Sequence, residues 1–252
     1  MTYTIDAVAK AMELLYLVAE EDGHGVTELA KRSGNTKARA FRMLTTLEEC
    51  GMVRRTLPAA TYSLGYRALV LGAAAQRQLN MIQIANDILA AAGAECNESV
   101  LVRVREGQET VCIAWWDAPH AVRVHSQLGT RRPLGVGASG KLLLAYAPPE
   151  VQDALLGQDM TRFTDHTIIE RSDLKKELQK IADQGLSVSE AERTAEMVAV
   201  AAPVRDAAGA VVASLSMSAP ASRVSKSSLK KHAEVIQRAA ERFSAALGYV
   251  RR

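Results

Sequence analysis

Apolar residues recur three or four apart at the start of the chain. Ile5, Val8, Met12, Leu15 and Val18 in IDAVAKAMELLYLVAE predict an amphipathic helix, and the two glycines of EDGHG end it. VTELAKRSG then predicts a helix of barely two turns, with Thr27 as N-cap and Gly34 as stop. NTKARAFRMLTTLEECG predicts a longer one, capped by Asn35 or Thr36 and ended by Gly51, with Ala40, Leu44 and Leu47 as its apolar stripe and Met43 beside it. Short helix, glycine turn, longer helix is the order of a helix-turn-helix. After Gly51 the period drops to two. Residues 52–56 and 61–64 read as short strands around Pro58-Ala59-Ala60, which makes a β-wing.

Residues 66–80 predict a linker helix, and helical patterning continues to about residue 95. SVLVRVRE and ETVCIAWW alternate around Gly107-Gln108, a hairpin turn, and AVRVHSQ predicts a further strand after Pro119. Helices follow at 139–146, 150–156 and 172–184, the last capped by Ser172 and stopped by Gly185. LSVSEAE, MVAVAAPVRD and AVVASLSMS return to strand patterning, and a closing helix covers 225–248. Strands grouped centrally between helices predict an α+β domain with an antiparallel sheet. The expected division is a winged helix-turn-helix domain at 1–65, the linker helix at 66–80 and a second domain at 81–252.

Composition narrows the class. The chain has 252 residues, 48% of them hydrophobic, enough for a real core. It holds no run of about 18 apolar residues and no apolar leader with a cleavage site, so a cytoplasmic protein away from membranes is expected. Cys50, Cys96 and Cys112 lie far apart without C-x-x-C spacing, which argues against a disulfide framework or structural zinc. The net charge of +3 decides little, but its distribution does. Residues 1–30 hold one basic residue and six acids, whereas residues 31–55 hold seven basic residues and two acids. Within that basic stretch Thr36, Lys37, Ala38, Arg39 and Arg42 occupy the N-terminal half of the second helix, the part that reads base edges in the major groove. Arg54 and Arg55 on the wing are placed to meet DNA phosphates.

PLGVGASGKLLLAYA spaces Gly135, Gly140 and Lys141 like a phosphate-binding P-loop. Leu142 stands where that motif needs a hydroxyl for Mg²⁺, and the preceding QLGTRRP is too polar for a central parallel strand, so no nucleotide machine is expected. A glycine-rich turn at a helix start instead offers the backbone amides of Gly137, Ala138, Ser139 and Gly140 to a carboxylate or similar anion. Glu190 and Glu192, two apart in SVSEAE, share a strand face as paired carboxylates or as a polar pocket wall. Trp115 and Trp116 should face opposite sides of their strand, one packed in the core and the other a pocket wall suited to stacking an aromatic ligand. Cys96, Cys112, His120, His125 and His166 are joined by no catalytic signature, so neither catalysis nor a cofactor is expected. The alternative is a ligand-binding or enzymatic sensor whose winged helix serves protein interaction.

GVTELAKRSGNTKARAFRMLTTLEECGMV followed by YSLGYRALVLG resembles the winged helix and linker helix of the IclR-type bacterial transcriptional regulators. The similarity continues through VRVHSQLGTRRPLGVGASGKLLLA and AAPVRDAAGAVVASLSMSAP into the last helix, nearly the whole chain. It implies a GAF/profilin-like sensor fold for the second domain, a homodimer or homotetramer on a palindromic double-stranded DNA operator, and a small organic acid or aromatic effector. In that family the effector sits at the helix start matching 137–140, opposite strands matching 197–204 and 214–218. Ser216 and Ser218 thereby become its hydroxyl contacts. Some members carry a cysteine where this chain has Ala199, and the departure implies a slightly larger, less polar pocket.

Overall fold

A computed structural model describes residues 3–20, 23–78 and 80–250 and forms two compact units, Met1–Asn80 and Met81–Arg252. Parts of three expectations lie outside the described residues: Glu21 and Asp22 of the EDGHG stop, Leu79 of the linker helix, and residues 1–2 and 251–252 at the ends of the two expected domains.

The first unit runs α1 (Asp6–Glu20), β1 (His24–Gly25), α2 (Val26–Arg32), α3 (Lys37–Glu49), β2 (Val53–Thr56), β3 (Thr61–Leu64) and α4 (Tyr66–Gln78). Its antiparallel sheet has the order β1-β3-β2. β1 has no signal in the sequence, because two residues carry no period. The core joins Leu14, Leu15 and Val18 of α1 to Leu29, Ala40, Leu44, Leu47, Val53 and Tyr62. The stripe expected on α1 is therefore partly corrected: Ile5, Val8 and Met12 are 68%, 57% and 39% exposed. A helix this rich in apolar residues offers more than one stripe at helical spacing, and only packing selects the buried one. Thr36 is the N-cap of α3, its Oγ1 accepting the Arg39 amide at 3.2 Å. Thr27, by contrast, lies inside α2, whose cap is the extended Gly25 without a side-chain bond. Where the wing rejoins α4, a Cβ on Gly65 would sit 2.2 Å from the Gly51 carbonyl oxygen, so that joint requires glycine.

The second unit comprises α5 (Asn80–Cys96), β4 (Ser99–Glu106), β5 (Glu109–Trp116), β6 (Arg131–Pro133), α6 (Gly137–Ala145), α7 (Pro149–Leu156), α8 (Arg171–Gln184), β7 (Ser187–Glu190), β8 (Met197–Arg205), β9 (Val211–Pro220) and α9 (Lys226–Ala246). The six strands form one antiparallel sheet in the order β6-β5-β4-β9-β8-β7. One face carries Val100, Val102, Val200, Val204, Leu215 and Met217, packed against Ile88 and Leu89 of α5 and Ile236 and Phe243 of α9. The opposite face is covered by α6 and α8, through Ala138, Leu142 and Ile181 on Ala201. The architecture is α+β, with helices on both sides of the sheet.

Three local expectations are corrected here. AVRVHSQ forms no strand; Val122 is exposed, no sheet neighbour pairs with the segment, and the edge position goes to β6 beside Glu109–Val111. Alternation alone does not make a strand when neither face finds a partner. α8 begins one residue early, with Glu170 at the cap position and Ser172 inside the first turn. α6 begins at Gly137, two residues before the predicted start.

Candidate functional site

The DNA-facing candidates gather on α3 and the wing. Lys37, Ala38 and Arg42 are exposed, while Thr36 is engaged as the helix cap. Arg39 is half-buried because its guanidinium donates to the Asp6 carboxylate at the start of α1. That hydrogen bond, with the Arg39 charge, holds the Asp6 carboxyl below its ordinary value of 3.8. Arg54 and Arg55 are exposed and leave opposite faces of β2; Arg54 Nε donates to Ser63 Oγ across the hairpin at 2.9 Å.

The second unit holds a cavity of about 320 Å³, open to solvent, between the sheet and the start of α6. Strand alternation makes its floor. Ser214, Ser216 and Ser218 of β9 and Ala199 and Ala201 of β8 fall on one face, and their intervening neighbours Leu215, Met217 and Val200 enter the core on the other. Ser216 and Ser218 both line the cavity, with Ala199 directly opposite Ser218. Ser139 at the head of α6 donates its hydroxyl to Ser216 Oγ at 3.0 Å.

The first turn of a helix leaves backbone N–H groups without helical acceptors. Here the Gly137 amide donates to Glu192 Oε2 at 3.2 Å, and Ala138, Ser139 and Gly140 line the cavity beside it. Gly140 also makes room for the turn before the helix, since a Cβ there would lie 3.0 Å from the Pro133 carbonyl oxygen. The carboxylate that reaches this helix start is Glu192 and not Glu190. β7 ends at Glu190, which is exposed, and the left-handed Ala191 (φ 55°) turns the chain inward. The two glutamates therefore do not share a strand face, which corrects that expectation.

Lys141 occupies the P-loop lysine position, yet it is 1% exposed and fully employed inside the domain. Its ammonium donates to Glu192 Oε1 at 2.5 Å, Glu177 Oε1 at 3.0 Å and the Val188 carbonyl at 2.8 Å. It pins the 191–196 loop to the helix and turns no charge toward a phosphate.

Neither tryptophan lines the cavity. Trp116 packs in the core over Gly93 of α5, where a Cβ would come 2.1 Å from the indole. Trp115 lies on the cavity side of β5, opposite Leu101, but meets the His125 ring edge-on at 6.5 Å, and His125 is the residue that reaches the cavity.

The sequence carries no signal for the three arginines of the cavity, Arg103 of β4, Arg132 of β6 and Arg193 of the 191–196 loop. Arg103 is 2% exposed; its Nε and Nη2 donate to Thr110 Oγ1 (2.7 Å), the Thr110 carbonyl (2.9 Å) and the Thr130 carbonyl (2.6 Å). Arg103 Nη1, Arg132 Nε and Arg193 Nε are buried without a hydrogen-bond partner among the described residues. Burial first, then the charge of Arg132, brings the Arg103 pKa down to about 10, and burial with the Arg193 charge lowers that of Arg132. In SVLVRVRE an arginine between valines reads as a solvent-facing position of a half-buried strand; the bonds to Thr110 and Thr130, remote in sequence, hold it as an interior cation.

A second hollow, of about 440 Å³, opens beside Arg205 and Tyr249. Its arginine is already engaged, stacked 5.0 Å from the Tyr146 ring centre and donating to the Gly209 carbonyl at 2.9 Å. Uncommitted donors single out the smaller cavity.

Residues 7–57 match the family model described as the IclR helix-turn-helix domain, and residues 73–245 match that of the bacterial transcriptional regulator IclR C-terminal region. The transcriptional regulator KdgR of Escherichia coli K12 is 30% identical over 98% of this chain and 94% of its own length. An IclR transcriptional regulator from Alicyclobacillus acidocaldarius is 25% identical and superposes with a TM-score of 0.89, covering 98% of this chain and 100% of that one. An IclR homologue of Microbacterium hydrocarbonoxydans, solved in complex with 4-hydroxybenzoate, shares the fold at 21% identity, with a TM-score of 0.85 over 96% and 99% of the two chains. The matched relatives are named as regulators, which sets the enzymatic reading aside.

Proposed function

Because this chain belongs to the IclR family of DNA-binding transcriptional regulators, we propose that its operator affinity is set by a small organic anion held in the cavity at the start of α6. The observation that carries this reading is the convergence, on one cavity, of the α6 start, the Ser216 and Ser218 hydroxyls and three arginines, Arg103, Arg132 and Arg193, that pair with no carboxylate among the described residues. A cavity of about 320 Å³ suits a ligand of one ring or a short chain. The 4-hydroxybenzoate held by the Microbacterium homologue is a ligand of that size and charge.

On the DNA side, Thr36, Lys37, Ala38, Arg39 and Arg42 meet the major groove, and Arg54 and Arg55 meet the phosphates beside it. A homodimer or homotetramer presents two winged helices to a palindromic duplex. The effector changes operator affinity by binding the DNA-competent and DNA-incompetent states unequally. An anisotropy titration of a labelled operator, with and without organic acids, tests both halves. Salt-independent DNA binding would reject the nucleic-acid interface, and an operator midpoint that no organic anion moves would reject the sensor.

A further inference from the structure

Resting on that reading, we infer that the ligand of this cavity is an organic dianion, a dicarboxylate in its simplest form, with one anionic group beside the Ser139 and Ser216 hydroxyls at the α6 head, clear of the Gly137 amide that Glu192 already takes, and the second on the arginine cluster. The charge inventory carries the argument. Lys141 is matched by Glu192 and Glu177, and Lys180 adds a further cation 3.5 Å from Glu177, so these four groups balance among themselves. Arg103, Arg132 and Arg193 remain, and no carboxylate lies within ion-pair distance of any of them among the described residues. An unpaired interior cation is costly, and the cost is relieved by an anion that enters and pairs with it.

A single carboxylate cannot serve both anchors. Arg103 leaves β4 at the register of Ser214, two residues along β9 from Ser216, and the Ser216 hydroxyl is the group tied to the α6 head through Ser139. Two residues of strand span about 6–7 Å. The Arg103 guanidinium reaches the other way, toward β5, where Thr110 and Thr130 hold it, so the two anchors stand on different walls of the cavity. Arg103 Nη1 is the sharpest sign of a missing partner. Its side chain lines the cavity and is clamped by Thr110 and Thr130, so the unpaired nitrogen is buried and fixed. Arg193 comes from the same loop as Glu192, and its guanidinium rests over the Phe163 ring at 5.6 Å, which holds the third cation over the site.

The test uses the full chain and matched pairs of acids: glutarate against valerate, adipate against hexanoate, isophthalate against benzoate. Binding is read by calorimetry, and operator release by anisotropy on the same samples. The expected result is that at least one dicarboxylate binds about ten- to a hundredfold more tightly than its monoacid, the factor of one charge-assisted pair, and releases operator DNA. In Arg132→Gln that advantage falls to within a few-fold while monoacid binding is unchanged. Arg103→Met removes a buried cation that has no counter-ion, so the ligand-free variant melts at or above the wild-type temperature and loses the dicarboxylate preference. Equal affinity within every pair overturns the dianion, as does a set in which no dicarboxylate binds at millimolar concentration. Should monoacids bind and release DNA as well as the diacids do, the dianion fails and the sensor stands. Should diacids bind through the arginines without moving the operator midpoint, the dianion stands and the sensor fails.

Discussion

Glu192 is shared between Lys141 and Gly137: one carboxylate oxygen lies 2.5 Å from the lysine ammonium and the other accepts the glycine amide at 3.2 Å. A single side chain thus ties the 191–196 loop to the helix whose first turn edges the cavity. Lys141→Met leaves Glu192 and Glu177 facing each other without their cation, and is expected to cost about 3–5 kcal/mol in urea denaturation. Glu192→Gln keeps Glu177 as a partner for Lys141 and is expected to cost less, about 1–3 kcal/mol. Because the lysine is committed inside the domain, wild-type protein incubated with Mg²⁺ and ATP should release no phosphate. Hydrolysis that disappears in Lys141→Met would restore the P-loop.

Arg39 is paired with Asp6, so on the proposed interface DNA would have to compete for it. Asp6→Asn should release the guanidinium and tighten operator binding, whereas Arg39→Ala should weaken it by about 1–3 kcal/mol and relax preference at one base position. The sign with pH follows from the depressed Asp6 carboxyl. The pair is intact above about 3.8 and is lost as pH falls below it, so it persists under all conditions used for DNA binding. Arg54→Ala should weaken binding to every duplex and flatten the salt dependence. Anisotropy titrations at several salt concentrations separate the three.

Replacing both Ser216 and Ser218 by alanine removes two hydroxyls from the cavity floor. At about 0.5–1.5 kcal/mol each, the effector midpoint should rise by roughly one to two orders of magnitude while operator affinity without effector is unchanged. An operator-release titration reads both. An unmoved midpoint would shift attention to Arg103 and Arg132 as the sole anchors.

Trp116 needs the bare backbone of Gly93 beneath it. Gly93→Ala should destabilise the second unit by about 1–3 kcal/mol through overpacking, visible as a lower denaturation midpoint and altered tryptophan emission.

The three thiols should behave unequally, because Cys50 is exposed while Cys96 and Cys112 are buried. Burial, with the charges of Glu95 and Glu98, pushes the Cys96 thiol up to about 12. A thiol reagent at neutral pH should label Cys50 at once and the others only on unfolding. The stability that comes from keeping Cys96 neutral is complete below about pH 9, its ordinary value, and is lost as pH rises toward 12. Cys96→Ala should flatten that alkaline decline.

Much of this was legible in the chain itself. Local signals suffice where a single element decides the outcome: Thr36 as one of two cap candidates, Gly51 as a stop, the start of the last helix near Ser225, and Ser216 and Ser218 on one face with Met217 on the other. Failures came where the deciding partner is remote in sequence. Which stripe of α1 is buried depends on α2, α3 and the wing. Glu190 and Glu192 were placed on one face by a period that Ala191 interrupts with a left-handed turn. The arginine cluster was invisible because Arg103, Arg132 and Arg193 come from three separate segments, each unremarkable alone. Folding brings the three to one cavity and buries Arg103, and no local pattern encodes that meeting.

The two-sided character of β8 and β9 has an evolutionary consequence. Positions 199, 216 and 218 shape the recess, and positions 200, 215 and 217 hold the sheet to α5 and α9. Selection can therefore alter what is recognised without renegotiating what keeps the domain folded. A methyl added at Ala199 narrows the recess and leaves the packing of Val200 untouched, and a hydroxyl lost at Ser218 changes the polarity offered to a visitor without opening a void behind Met217. Odd and even steps along the same few residues of chain answer to different pressures, so chemical preference in this scaffold is free to drift while its architecture stays put.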